Sequence, residues 1–366
     1  MITQTFDEVF TFETLYRAHL RGRLAKRDKM PIIRFEFSLL ENIYKIYNSL
    51  KVGAFKFSNY SHFTVYEPKK REIQTLRYCD RVVQHVLCDD VLQPYFSKRA
   101  ILDNAVCQEG KGTHFALDRF ENMLRRHVRK HGVTGYFLKC DILKYFPGIP
   151  HDRLKQIFCS QIADTRLKDL LTLIIDSYHT DTVYLEKYGY DCLTPDPAKS
   201  GRGIPIGNQT SQVFGMFYLN KVDRLVKEEL RVKAYSRYMD DFVLVHSDKE
   251  FLRYALSEIT AAITDLGLKF NTKTQICPLK NGITYLGFRY YVTPSGKLIK
   301  TVKKQTRKRL RWRARLLKKA SLEGVITPER VRQSLAAFHG HLKHASSYKL
   351  EKELFLKLKA YTAPTD

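Results

Sequence analysis

The sequence has few of the residues that build cross-linked or metal-stapled folds. Its seven cysteines are an odd number, include no Cys-x-x-Cys pair and have no histidine at ligand spacing. A chain of 366 residues is also long enough to bury a hydrophobic core without covalent staples. We therefore expect reduced thiols and no zinc site.

Signals for export or membrane insertion are also missing. The N-terminal residues include Asp7, Glu8 and Glu13, where a signal peptide needs a basic start and an apolar run. The longest stretch without charge, 203–220, has polar residues at 208–212, which indicates a loop that enters a helix and not a membrane span. We expect a cytoplasmic protein with no membrane partner.

Acidic residues are in the minority, with 38 Asp and Glu against 63 Lys and Arg and a net charge of +25. This field attracts polyanions, so nucleic acid is the leading partner, and a generally basic soluble protein is the alternative. The densest run, 297–319, has twelve Lys or Arg in twenty-three positions and no acid. We expect a helix that tracks nucleic acid there, because like charges at this density repel unless phosphates neutralise them. A solvated helix face is the alternative.

Strand-like and helix-like segments alternate irregularly over 131–290, which predicts an α+β fold with antiparallel strands. Upstream, the alternation of Phe63 and Val65 predicts a strand, and a long amphipathic helix is expected from about Tyr78. A Gly-rich loop at 108–113 opens a further helix.

A capping-box pattern precedes the helix expected near residue 40. Ser38 and Glu41 have the spacing of such a box. Apolar residues then recur at helical spacing, and we expect them to pack in the core: Leu40, Ile43, Tyr44 and Tyr47.

Three acidic residues lie where strands are predicted to end. In AYSRYMDDFVLVHS, two β-rich runs flank Met239, Asp240 and Asp241, which predicts a hairpin with two carboxylates at its tip. Asp141 follows the strand-like YFLKC, so its carboxylate would lie at the rim of a sheet. Three carboxylates on neighbouring strand ends are what two Mg²⁺ ions need for in-line phosphoryl transfer. An ordinary acidic turn is the alternative.

The order of these and other motifs resembles that of the reverse transcriptases. FLKCDILKYF, GIPIGNQTSQ, YMDDF, LGLKFNTKT and GITYLGF follow the order and approximate spacing of that family's conserved blocks. FTVYEPKKREI and CQEGKGTHFAL are similar to its two finger blocks. The Ile-Gly-x-x-x-Ser-Gln form and the closing AAFHGHLKHASSYKL are most similar to standalone bacterial and phage enzymes of diversity-generating retroelements.

The resemblance implies a right-hand polymerase fold of the α+β class, with fingers, a palm and a helical thumb. We expect a basic N-terminal extension at 1–60, fingers and palm at 61–290 and a basic helical thumb at 291–366. The implied activity is RNA-directed DNA synthesis from dNTPs with two Mg²⁺ ions, or Mn²⁺ in their place, on an RNA template and a nucleic-acid primer.

The resemblance also implies a role for individual residues. Asp141, Asp240 and Asp241 would be the metal-binding catalytic acids. Lys273 would be a general acid toward pyrophosphate, with a solvated lysine as the alternative. Contacts to the primer would come from Tyr238, Met239, Leu286 and Gly287.

The incoming dNTP would be bound by residues of the fingers and palm. Among them, Phe146 matches the aromatic gate that blocks a ribonucleotide 2′-hydroxyl, with core packing as its alternative. Lys69 and Arg71 would hold the triphosphate, and their alternative is two exposed charges on a hairpin. The complete expected set is Lys69, Arg71, Ile142, Phe146, Ile206, Gly207, Ser211 and Gln212.

One departure from the family pattern bears on accuracy. Many relatives have Gln where this chain has Ile206, and Pro where it has Gln212. An apolar side chain cannot form a hydrogen bond to the nascent base pair, so we expect low fidelity.

Two biological settings stay open. One is mutagenic copying of a template repeat in a diversity-generating retroelement, usually with a small helical accessory protein. The other is an antiphage defence enzyme that makes cDNA from its own RNA. In both, we expect one dedicated noncoding RNA as template, because a small enzyme without targeting domains needs its template to be selected by something else. We also expect no endonuclease or RNase H domain, for which 366 residues leave no space. A homo-oligomer stays open, and the rival from another class is a catalytically idle RNA-binding scaffold.

Overall fold

The computed structural model of the chain describes residues 1–66, 69–196 and 198–362. The N-terminal region is helical, with α1 (Phe6–Val9), α2 (Phe12–Gly22), α3 (Met30–Glu36) and α4 (Leu39–Lys51). The next segment pairs two antiparallel strands, β1 (Ser61–Val65) and β2 (Arg71–Thr75). Glu67 and Pro68, which belong to the first finger block, lie outside the described residues.

The helix predicted near residue 40 is present as α4, but two details of the prediction are wrong. Within the described chain, Ser38 makes no capping hydrogen bond through its side chain. The buried residues of α4 are Ile43, Ile46 and Leu50, whereas Leu40 is 64% exposed and Tyr44 58% exposed. Ile43 belongs both to the predicted apolar face and to the face that is buried. Packing against α2 buries the face with Ile46 and Leu50.

A long helical segment and a second helix follow β2. They comprise α5 (Tyr78–His85), a π-helical segment (Val86–Leu92), α6 (Gln93–Ser97) and α7 (Thr113–His131). These elements confirm the strand predicted at Phe63, the helix predicted from Tyr78 and the helix predicted after the Gly-rich loop.

The central part of the chain contains all four strands of the larger sheet. Its elements are β3 (Tyr136–Asp141), α8 (Tyr145–Gly148), α9 (His151–Cys159), α10 (Thr165–Asp176), α11 (Thr182–Glu186), α12 (Gln209–Phe217), α13 (Asn220–Arg224), a π-helical segment (Leu225–Glu229), β4 (Ala234–Tyr238), β5 (Asp241–His246), α14 (Lys249–Asp265) and β6 (Gln275–Pro278). The strand order is β4-β5-β3-β6. Strands β3 and β6 are antiparallel, with Lys139 opposite Gln275.

The C-terminal part contains a three-stranded antiparallel sheet and then helices. The elements are β7 (Ile283–Tyr285), β8 (Phe288–Val292), β9 (Leu298–Val302), α15 (Lys304–Leu322), α16 (Pro328–Leu342), α17 (Tyr348–Leu358) and a short 3₁₀ turn (Lys359–Tyr361). The α+β class with antiparallel sheets is thereby confirmed.

The helix predicted over 297–319 is correct only from Lys304 onward. Leu298–Val302 forms β9, which pairs with β8. Lys300 and Val302 are buried on one face of this strand, so an alternating pattern at the start of the basic run decides its structure. Sequence analysis missed this alternation because the density of charge dominates the run.

The chain divides into two compact units. The first consists of Met1–Ala116, Cys140–Phe242 and Tyr254–Thr274. The second consists of Leu117–Lys139, Val243–Arg253 and the chain from Gln275 onward. Within the described ranges, every helix is too short or too polar to cross a bilayer.

Each unit has an aromatic core of its own. In the first, the Phe96 ring packs against Phe158, with ring centroids 4.5 Å apart, and against Phe217, at 4.6 Å. In the second, Phe120 packs against Tyr285 and Tyr290, each at 5.2 Å. Because Phe217 ends α12, the aromatic core of the first unit supports the helix that follows the predicted nucleotide-binding block.

Candidate active site

Asp240 and Asp241 lie where β4 turns into β5. Tyr238 ends β4 and Asp241 begins β5, so Met239 and Asp240 form the turn. Met239 has a φ of +57°, a left-handed conformation that is strained for a residue with a side chain. The predicted hairpin is present, with one carboxylate in the turn and the next on the first residue of β5.

Asp141 is the last residue of β3, which neighbours β5 in the sheet. Its backbone is held by the turn at 271–274. The Asn271 N–H donates to the Asp141 carbonyl at 2.8 Å, and the Asp141 N–H donates to Thr274 Oγ1 at 3.2 Å. The predicted position at a strand end is therefore correct, and hydrogen bonds hold the peptide groups on both sides of this acid.

Asp240 and Asp141 share one electrostatic environment. Burial raises the pKa of Asp240 above its ordinary value, and the negative charge of Asp141 raises it further. The positive charges of Arg71 and Lys69 act on the same carboxyl group and lower its pKa. Asp240 thus lies poorly solvated beside a second carboxylate, in the field of the two cations that were expected to hold the triphosphate.

The acids fit a divalent cation by their chemistry. Hard carboxylate oxygens are the ligands that Mg²⁺ uses in proteins, and a desolvated carboxylate next to another is stabilised by a bound cation. In the described parts of the chain, no three His, Cys, Asp or Glu side chains are already gathered closely enough to hold a metal ion.

Phe146, Gly215 and Met239 pack tightly against one another. A Cβ atom added to Gly215 would lie 2.7 Å from Phe146 Cε1 and 3.2 Å from Met239 Sδ. The Tyr145 hydroxyl donates to the Gly215 carbonyl at 2.8 Å, which fixes α8 against α12. Sequence analysis identified Phe146 and Met239 but missed Gly215, whose only signal is a glycine inside an apolar helix.

The block that precedes α12 lies against β2. The Ile206 N–H donates to Gln74 Oε1 at 3.4 Å, and a Cβ atom on Gly207 would lie only 1.9 Å from the Gln74 carbonyl oxygen. Ile206 is 37% exposed and Gln212 is also exposed, whereas Ser211 is buried in α12. Ile206 and Gln212 therefore have exposed side chains, while Gly207 permits the close approach of two backbones.

The other residues expected at the site differ in what they expose. Ile142 is buried and its backbone bridges to Phe270, so its expected contact with the dNTP stays a prediction. Lys69 and Arg71 are exposed. Lys273 is exposed on the turn at 271–274 that holds the Asp141 backbone.

The expected primer contacts fall in both units. Tyr238 and Met239 belong to the first unit, where the Thr113 hydroxyl donates to the Tyr238 hydroxyl at 3.4 Å. Leu286 and Gly287 belong to the second unit and form the two-residue turn between β7 and β8, with φ values of +46° and +88°. Contact of these four residues with a primer stays a prediction.

Sequence analysis also missed a buried charge next to the β4–β5 turn. Arg237, in β4, forms an ion pair with Asp223, and both side chains are fully buried. The sequence offered one sign of this buried charge: Arg237 is a charged residue inside a predicted strand. Its partner could not be inferred, because the pairing depends on how α13 packs beneath the sheet.

Comparison with known protein families agrees with the motifs and the geometry. The family model described as reverse transcriptase (RNA-dependent DNA polymerase) matches residues 25–290. The matched range is more than half of the chain and contains the three acids, the β4–β5 turn and the block before α12. A search of curated proteins finds no match.

Proposed function

Since the chain belongs to the reverse transcriptase family and is therefore an RNA-directed DNA polymerase, we propose that it copies one dedicated noncoding RNA into cDNA in the cytoplasm. The catalytic acids are Asp141, Asp240 and Asp241. The observation that carries this assignment is the position of Asp141 and Asp241 at the ends of neighbouring strands, with Asp240 partly buried and its pKa raised by burial and then by the charge of Asp141.

Reverse transcriptases generally use divalent metal ions, and these three acids are the residues that would hold two Mg²⁺ ions, or Mn²⁺ in their place. When bound, such ions favour deprotonation of the primer 3′-hydroxyl and neutralise charge on the departing pyrophosphate. The β3 end and the β4–β5 turn supply the carboxylates on rigid elements of the fold, so the acids meet the substrate in a fixed orientation.

Basic residues of the chain bind the anionic parts of the substrates. Arg71 is a forked donor and Lys69 is a flexible point charge. The positive charges of both lower the pKa of Asp240, so the two side chains suit a triphosphate bound beside the acids. Lys273, exposed on the turn that holds Asp141, donates a proton to the leaving pyrophosphate oxygen. The exposed cations of α15 bind the phosphates of the template–primer duplex.

The sugar of the incoming nucleotide is selected by Phe146. Its ring is held against Gly215 and Met239, so it cannot move aside for a 2′-hydroxyl. Replacing Phe146 by valine is expected to raise ribonucleotide use relative to deoxyribonucleotide use by about 10- to 100-fold. The measurement is the ratio of kcat/KM for ATP and dATP in primer extension. Phe37→Val, at an exposed position of the N-terminal region, is the control, and an unchanged ratio in Phe146→Val would exclude the gate.

Low fidelity is the second part of the proposal and favours the diversity-generating setting. Ile206 keeps its backbone N–H on Gln74 but offers the nascent base pair an apolar side chain. Ile206→Gln is therefore expected to lower misincorporation by about tenfold, because a side-chain amide can test the pair by hydrogen bonding. Sequencing of cDNA made from a defined RNA measures this effect. Ile206→Leu is the matched control and should keep the wild-type errors, whereas an unchanged error spectrum in Ile206→Gln would refute the role.

The same products separate the two settings. Substitutions concentrated opposite template adenines, together with a near-duplicate repeat in a neighbouring gene, support the retroelement and its small helical accessory protein. Faithful or repetitive cDNA supports the antiphage defence enzyme. Measuring the molar mass with and without the template RNA decides whether a homo-oligomer forms.

A further inference from the structure

The buried pair of Arg237 and Asp223 is fully hydrogen bonded. Arg237 Nε donates to Asp223 Oδ1 at 2.7 Å, and Nη2 donates to Oδ2 at 2.5 Å. The Tyr235 hydroxyl donates to the same Oδ1 at 2.7 Å. Burying two charges requires the loss of their hydration, and a well-packed apolar set of similar volume is often at least as stable. Stability alone therefore does not explain why a strand next to the catalytic turn contains this pair.

The guanidinium group also contacts two backbone carbonyls. Arg237 Nη1 donates to the Met239 carbonyl at 3.1 Å, and Nη2 donates to the Met216 carbonyl at 2.8 Å. Met216 lies near the end of α12, and Asn104 Nδ2 donates to the same carbonyl at 3.0 Å. Arg237 thus links the catalytic turn to the helix that begins after the nucleotide-facing block.

The contact with Met239 controls the orientation of the acids. The Met239 carbonyl and the Asp240 N–H belong to the same planar peptide group. A hydrogen bond to this oxygen therefore fixes the orientation of the backbone that leads into Asp240. Met239 is also the residue with the left-handed φ, a conformation that persists only when its surroundings hold it. A planar guanidinium, oriented at one edge by a carboxylate, provides a rigid donor for that purpose.

We propose that Arg237, oriented by Asp223, is a positioning residue for nucleotidyl transfer: it holds the Met239–Asp240 peptide, and with it Asp240 and Asp241, in a fixed relation to the end of α12. This inference rests on the proposed catalytic role of the two acids. On this proposal, the Arg237–Asp223 pair serves catalysis in addition to any contribution it makes to folding.

The test removes the charges and keeps the packing. A triple variant, Arg237→Met with Asp223→Leu and Tyr235→Phe, replaces the buried polar set by apolar side chains of similar size, a change that folded proteins often accept. We expect the same melting temperature and the same KM for dNTP, but a kcat about 100-fold lower, because a displacement of about 1 Å at reacting groups has that effect. Faster hydrogen exchange of the amides at 239–241 should accompany the loss.

Two single variants complete the series. Tyr235→Phe leaves the Arg237 contact with Met239 intact and should keep kcat within about twofold of the wild type. Arg237→Lys keeps a positive charge for Asp223 but lacks the fork that reaches both the carboxylate and the Met239 carbonyl, so kcat should fall about 10- to 100-fold with KM unchanged.

Wild-type kcat in a folded triple variant, or in Arg237→Lys, would overturn the positioning role and leave the pair purely structural. Asp240→Asn is assayed in parallel. If Asp240→Asn is as active as the wild type, the proposed catalytic acids are wrong. If Asp240→Asn is inactive while the Arg237 variants are fully active, only the positioning inference fails.

Discussion

Asp240→Asn is expected to reduce DNA synthesis by about a thousandfold or more, while the melting temperature stays the same or rises. The substitution keeps the shape of the side chain but removes a negative oxygen donor from the catalytic set. Carboxylates that hold catalytic cations contribute several kcal/mol to transition-state stabilisation, and about 4 kcal/mol corresponds to this loss of rate.

Asp240→Asn is expected to lower activity without lowering stability, and the reason is electrostatic. Burial, and then the charge of Asp141, raise the pKa of Asp240, so its ionised form is less favourable in the folded chain than in the unfolded one. At neutral pH, above the pKa in the unfolded chain, a neutral amide relieves this penalty. Primer extension and thermal unfolding measure the two effects.

Asp152→Asn is the matched control for Asp240→Asn. Asp152 is exposed in the first turn of α9, and the substitution changes the net charge by the same amount. We expect normal activity from this control. A large fall in the melting temperature of Asp240→Asn would instead assign Asp240 to the structure of the turn.

Gly207→Ala should lower kcat/KM for dNTP by about 100-fold. An added Cβ would lie 1.9 Å from the Gln74 carbonyl oxygen, whereas real Cβ atoms essentially never approach closer than 3.0 Å, so either the turn or β2 must move by about 1 Å. Strand β2 begins with Arg71, and the turn contains Ile206, so a movement of either element displaces a residue expected to face the nucleotide. The effect comes from lack of space, because Gly207 does not have a left-handed backbone.

Gly340→Ala provides the control for Gly207→Ala. Gly340 lies in α16, where an added Cβ would have no heavy atom of the described chain within 4 Å apart from adjacent residues and the backbone of its own helix. Because alanine is the better helix former, we expect about 0.5–1 kcal/mol of added stability and unchanged kinetics. Steady-state kinetics and urea unfolding compare the two variants, and wild-type kinetics in Gly207→Ala would contradict the close approach of the turn to β2.

Local pattern was sufficient to predict the elements that position the acids. β-rich runs on both sides of Met239 and Asp240 predict the hairpin, and a strand that ends at Asp141 follows from YFLKC. These features depend on neighbours in the sequence, and for that reason they could be recognised without tertiary contacts.

The features that sequence analysis missed depend on contacts between distant segments. The apolar residues of α4 fit two overlapping stripes, and only packing on α2 selects the one with Ile46 and Leu50. Gly207 looks like an ordinary turn residue until Gln74 is brought against it. The partnership of Arg237 with Asp223 likewise exists only after α13 packs beneath β4.

Primer extension on an RNA template, with Mg²⁺ and all four dNTPs, tests the central claim most directly when the wild type is compared with Asp141→Asn, Asp240→Asn and Asp241→Asn. We predict that the wild type makes DNA complementary to the RNA, that each variant loses about a thousandfold or more of this activity, and that all four proteins bind the template–primer equally. DNA synthesis that continues at the wild-type rate in any one of the three variants would contradict the assignment of these acids.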